Sequence, residues 1–199
     1  MQKLIDTISN FFIQKSPLII KWLPLVYFGF VLFVWINLDT RLGYRLSNTF
    51  GEIAVGLYVL TLIPGIAGRL GLKNSIFNVI RVYRRHLGIS MYLFAFSHFF
   101  IKRFPFTFPP SFFAFEVAGM LAIFVFFLLF VTSNNFSQKL LTKNWFLLQK
   151  LTYLGMFFIF LHLAFLKVAT WGTLMALVIL LEVISFIYLY TQKSANKIS

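Results

Sequence analysis

Arg84-Arg85-His86-Leu87-Gly88-Ile89-Ser90-Met91-Tyr92-Leu93-Phe94-Ala95-Phe96-Ser97-His98-Phe99-Phe100 opens on two arginines and continues with little but apolar side chains. A basic cluster followed by such a run marks a membrane surface and the helix that leaves it. That helix carries one imidazole, His98, to a depth at which an unpartnered polar ring is costly. His98 therefore needs a partner. The other histidine placed at comparable depth is His162, within Phe157-Phe158-Ile159-Phe160-Leu161-His162-Leu163-Ala164-Phe165. One partner shared by both rings is the simplest economy.

Composition agrees with the membrane reading. The 199 residues are 60% hydrophobic and 12% charged, with five acidic side chains and a mean hydropathy of +0.86. An ordinary soluble domain carries about 25% charged residues. The formal charge of +13 would point to nucleic acid in a soluble protein. Here the cations fall in short gaps between apolar runs, where they act as topology determinants, so no nucleic-acid partner is expected. Cysteine is absent, which excludes disulfides, thiolate metal sites and iron–sulfur ligation.

Outward from the central stretch, residues 1–16 space Leu4, Ile5, Ile8, Phe11 and Phe12 as an amphipathic N-terminal helix lying on the lipid bilayer. Pro17 opens a first span to about Leu38, too long for a signal-peptide core and without a small-residue cleavage site, so it is expected to be retained. Further apolar runs begin near Ile53, Leu87, Phe112, Phe146 and Ala169. Each is ~15–22 residues long, against roughly 20 needed to cross a bilayer. The expected fold is an all-α, six-helix transmembrane bundle over residues 17–192, with a cytoplasmic tail at 193–199.

Thirteen of the eighteen Lys and Arg residues fall on the side of the N-terminus, leaving Arg41, Arg45, Lys102, Arg103 and Lys167 opposite. Both termini are therefore expected in the cytoplasm. The third and fifth spans then run in the same direction. His98 lies ten residues past Gly88 and His162 seventeen past Trp145. At ~1.5 Å per residue both fall in the outer half of the membrane, where they can face one another.

Taken singly, a membrane histidine serves equally well to bond a neighbouring helix's carbonyl or hydroxyl. Two at one depth favour a ligand role. Zinc or copper would want three or four N, S or O ligands, and this depth offers two imidazoles and no thiolate. A haem iron needs only axial ligands from the protein, and its apolar faces suit a Phe-rich bundle. Haem fits the inventory best, with His98 and His162 as axial ligands to its iron. Gly155, seven residues before His162 on nearly the same face, would either admit the flat macrocycle or serve as a packing glycine.

Arg84 and Arg85 form chiefly a topology signal, and their guanidinium groups also suit a haem propionate or a flavin phosphate. His86 among them is read as solvated or facing lipid phosphate. Glu182 lies inside the sixth span, where a carboxylate is a functional candidate. A protonated, hydrogen-bonded structural role is favoured there over proton handling for a quinol. Glu116 is expected near the outer end of its span, and Pro64-Gly65 is expected to kink the second one.

The blocks Arg84-Arg85-His86-Leu87-Gly88 with His98, and Lys143-Asn144-Trp145 through Gln149 and Leu154 to His162, resemble the ferric-reductase-like transmembrane family over about residues 45–167. Within that family the likeness is to haem-binding membrane subunits of periplasmic methionine sulfoxide reductase systems. The resemblance implies six helices, haem b, electrons from a quinone pool or a flavin reductase, and a periplasmic molybdenum-containing reductase as partner, in a bacterial inner membrane. Related ferric reductases clamp an inner and an outer haem with two histidines on each of two helices. Here the inner positions read Arg84 and Gln149, so only the outer pair carries over. One haem is expected, with a second haem or FMN near the cytoplasmic face left open. Gln149 and His162 are thirteen residues apart and share no face of an ideal helix, so an inner site at Gln149 would require a distorted one. No Gly-rich dinucleotide fingerprint is present, so oxidation of NADPH would belong to another polypeptide. A stand-alone metalloreductase acting on a ferric chelate, and a non-redox scaffold with two core histidines, are the alternatives.

Overall fold

A computed structural model of the chain describes residues 2–36, 41–103 and 113–195. Among these residues every regular element is helical: α1 (Gln2–Ile36), α2 (Arg41–Arg69), α3 (Ser75–Arg103), α4 (Ala114–Val131), α5 (Asn135–Leu141), α6 (Lys143–Gln149), α7 (Leu151–Phe165) and α8 (Ala169–Ala195). The expected outer-face loop at 104–112 and Lys197 lie outside the described residues.

Local chemistry sets the ends of these helices. Gly71 adopts φ +72, which lets the Leu72 N–H reach back to the Ala67 carbonyl (2.9 Å) and closes α2. Three residues on, the Asn74 side chain accepts the Ile76 N–H (3.0 Å) and starts α3. Asn134 does the same for α5 through the Ser137 N–H (2.8 Å).

Packing runs around a closed ring in the order α2, α3, α4, α7, α8 and back to α2. Ser47 meets His98 and Gly68 meets Arg81, so α2 and α3 are antiparallel. Phe115 meets His162 and Phe126 meets Gly155, so α4 and α7 are antiparallel as well. The seam between α2 and α8 is the ring's parallel pair. Helix α1 lies outside the ring along α3 and parallel to it, for Asp6 bonds Ser75 while Tyr27 donates to the Leu93 carbonyl (2.8 Å). A stripe at four-residue spacing, Ala54, Tyr58, Leu62 and Ile66, turns the buried face of α2 toward Met91, Phe126, Met156, Leu163 and Met175.

Among the described residues four stretches are long and apolar enough to cross a membrane: Arg45–Arg69, Ala114–Val131, Lys143–Phe165 and Ala169–Ser194. Between 17% and 39% of their most apolar windows is buried within the protein. Large apolar side chains such as Phe124 (61% exposed) and Leu177 (54%) point outward. Such a surface is matched to lipid rather than to water. Six spans were expected. The apolarity of α3 is diluted by Ser90, Ser97, His98 and the cations at its ends, although it is as long as α2.

Two local features differ from expectation. No separate surface helix ends at residue 16, because α1 continues through Pro17 to Ile36. Strong helix formers on both sides outweigh the one ladder bond a proline removes. Helix α2 carries Pro64, where a kink was expected, inside its length. The fifth span is not one uninterrupted helix. It breaks at Lys150, where α6 gives way to α7.

Candidate functional site

His98 on α3 and His162 on α7 are half-buried and lie within electrostatic reach of one another, although α3 and α7 belong to different antiparallel pairs. Each ring is anchored to its own neighbour. His98 Nδ1 is 2.7 Å from the Ser47 carbonyl oxygen on α2, and His162 Nδ1 is 2.7 Å from the Phe115 carbonyl oxygen on α4. A carbonyl only accepts, so each Nδ1 carries the proton and donates it. Each neutral ring then keeps its lone pair on Nε2. Among the described residues no hydrogen bond engages either Nε2. This is the tautomer that presents Nε2 to a metal while the other nitrogen is held by a backbone partner.

Two glycines sit behind these rings, and nothing in the sequence reading singled them out. A β-carbon on Gly51 would lie 3.1 Å from His98 Nδ1, and one on Gly119 would lie 2.8 Å from His162 Nδ1. Gly155 has a different neighbour. Its missing side chain is filled by the Phe126 ring, whose Cζ would stand 2.5 Å from a β-carbon there. Gly155 is thus a packing glycine for α4 against α7, and the space it leaves is not open to a macrocycle.

Nearer the other end of the ring, the Arg85 Nε donates to the Ser133 carbonyl (3.0 Å) and its Nη1 to Asn135 Oδ1 (2.7 Å), which ties α3 to the α4–α5 turn. Its Nη2, the Gln149 Nε2 and the His86 Nδ1 are buried without a hydrogen-bond partner. His86 was expected to be solvated or to face lipid phosphate, and its half-buried ring is shielded at Nδ1. Burial and the adjacent Arg85 guanidinium hold it below the ordinary histidine range, so it is neutral at pH 7. Arg84 is exposed and lies within electrostatic reach of Tyr58 and Glu182. Gln149 is the last residue of α6, one residue before the break at Lys150.

Glu182 is 3% exposed, and its carboxylate is ion-paired with Arg69, a residue read from sequence only as a topology cation. Arg69 Nε also donates to Ser185 Oγ (2.8 Å), and its guanidinium carbon lies 4.1 Å from the centroid of the Phe186 ring. The buried Glu182 carboxyl is thus hydrogen-bonded, as expected, and its partner is a guanidinium that the sequence reading did not assign to it. Glu116 is ordinary, accepting the Phe113 N–H (3.0 Å) at the start of α4. Among the described residues no group of three or more His, Asp or Glu side chains gathers at one point.

Comparison of the chain with models of protein families, with characterised proteins and with solved structures finds no match.

Proposed function

We propose that the chain is a membrane electron-transfer subunit that holds haem b between His98 and His162. The observation that carries this reading is the pair of imidazoles on α3 and α7, each with Nδ1 committed to a backbone carbonyl and Nε2 without a hydrogen-bond partner among the described residues. A histidine serving only to brace two helices would be satisfied by the same Nδ1 bond. Two such rings within electrostatic reach of one another are what a metal with two axial protein ligands asks for. The donor set fits the group: neutral imidazoles, no competing carboxylate within hydrogen-bonding distance of them, and an apolar interior lined by Met91, Phe126, Met156 and Leu163.

Haem, when bound, supplies one-electron chemistry at a potential set by its axial ligands and the polarity around them. The chain's own residues supply the rest. Ser47 and Phe115 orient the ligands, and the apolar wall keeps water away. The reading extends to six spans with both termini in the cytoplasm of a bacterial inner membrane. Electrons would come from the quinone pool or from reduced flavin, FMN included, and pass to a periplasmic methionine sulfoxide reductase containing molybdenum, as in the membrane subunits known as MsrQ or YedZ. A second cofactor on the opposite side would find the buried, unpartnered Gln149 Nε2 and Arg85 Nη2 as hydrogen-bond donors.

A reduced-minus-oxidised spectrum of the purified protein tests the proposal. Bis-imidazole haem bands are the expected result. Their absence from protein produced with ample haem would leave a non-redox scaffold. Co-purification with a periplasmic oxidoreductase separates the electron-transfer subunit from a stand-alone ferric reductase.

A further inference from the structure

We infer that Gly51 and Gly119 are positioning residues that set the tautomer and the seat of His98 and His162. The inference deepens the ligand reading above and rests on it only for the role the rings finally play.

The two sites share one construction. Gly51 is the fourth residue after Ser47, and Gly119 is the fourth after Phe115. In an α-helix the carbonyl of residue i accepts the N–H of residue i+4, so each carbonyl that receives an imidazole proton belongs to the hydrogen bond closed by the glycine. Side chains on a helix lean toward its N-terminus. A side chain at i+4 therefore leans over the carbonyl of residue i and screens it from any second donor. With glycine at that position the carbonyl is bare on its outer side, and the imidazole lies in the space that a β-carbon would take.

The distances show how closely each ring uses that space. A β-carbon on Gly119 would stand 2.8 Å from His162 Nδ1 and 3.1 Å from its Cε1. One on Gly51 would stand 3.1 Å from His98 Nδ1 and 3.2 Å from its Cε1. Either ring would have to retreat, His162 further than His98, and the carbonyl would be covered as it did so. Losing the acceptor at Nδ1 removes the reason for the proton to reside there. The ring then reverts to the tautomer with the proton on Nε2, in which Nε2 has no lone pair to offer a metal. Not every glycine of the ring has this part. Gly56, also on α2, has nothing within 4 Å of its would-be β-carbon, and Gly155 faces Phe126.

The test is nitrogen NMR of the full chain, labelled with ¹⁵N at histidine and held in lipid nanodiscs, first without haem. In the wild type His98 and His162 should each show a neutral ring protonated at Nδ1 and bare at Nε2, the reverse of the form favoured in water. Gly119→Ala should shift the His162 signals toward the Nε2-protonated form and leave His98 in place. Gly51→Ala should do the converse by a smaller amount, and Gly56→Ala should change neither. Gly155→Ala separates positioning from packing, since it should lower thermal stability and yet keep both tautomers. With haem added, Gly119→Ala should lose a larger share of the low-spin signal than Gly51→Ala. Wild-type rings protonated at Nε2 overturn the inference, as does a Gly119→Ala protein whose His162 signals are unmoved. Should Gly119→Ala not accumulate, the wild-type tautomers and Gly51→Ala decide by the same criteria. Because the first measurement uses haem-free protein, a wild type that never binds haem defeats the functional proposal and leaves the nitrogen shifts to judge the glycines.

Discussion

Arg69, the last residue of α2, is ion-paired with Glu182, which lies thirteen residues into α8 and 113 residues away in sequence. The pair closes the α2–α8 seam, and Arg84, exposed on α3, is the further cation within electrostatic reach of Glu182. Removing one member leaves the other buried and uncompensated, which costs about 3–5 kcal/mol. Arg69→Ala and Glu182→Ala should each lower the thermal stability of the detergent-solubilised protein markedly. The double change to a pair of leucines should cost much less than the sum, because it strands no charge. Additive losses would show that the two side chains act independently.

Gly155→Ala should destabilise by about 1–3 kcal/mol through overpacking against Phe126. Combining it with Phe126→Leu should recover part of the loss, since the smaller side chain makes room for the new methyl. Thermal denaturation of the two variants and the pair checks this, and an absence of recovery would place the strain elsewhere.

His98→Ala and His162→Ala should each abolish the low-spin haem spectrum, and the double variant should lose little more than either alone, as expected of two ligands to one iron. His86→Ala should leave the spectrum unchanged, for its ring lies twelve residues from His98, beside Arg85. Loss of the spectrum in His86→Ala with its survival in His162→Ala would reverse the ligand assignment.

Gln149→Ala should keep the haem held by His98 and His162, because the amide is not among their partners. Pyridine haemochrome quantification of wild type and variant reads the outcome. A variant empty of haem would show that the site extends to Gln149.

A reporter fused after Lys197 should behave as cytoplasmic and one inserted near Pro109 as periplasmic. Reversed labelling would invert the orientation drawn from the basic residues.

The helices were legible in the sequence because long apolar runs bounded by cations and turn residues have few alternatives in a membrane. His98 and His162 were legible for a related reason, since a polar ring in such a run demands an explanation. Gly51 and Gly119 were not. Their importance lies in a few tenths of an ångström between a β-carbon that is absent and a ring on another helix, and no spacing within one helix encodes that distance. The partner of Arg69 was not legible either, because a cation at a helix end satisfies the topology rule on its own and its carboxylate lies beyond any local window. The helix distortion that an inner site at Gln149 would require was not readable either, and a one-residue turn at Lys150 does separate α6 from α7.

The closed ring also bears on the order in which the protein is made. Helices α2, α3, α4 and α7 each pack against the next ring member in the chain, so they can form an open arc as they leave the ribosome, whereas the seam to α2 waits for α8. Until Glu182 arrives, Arg69 has no counter-charge and the interior is open along one side. Of the ring members α8 is the last to be synthesised, and a haem held as proposed would have its widest passage in the interval before α8 closes the seam.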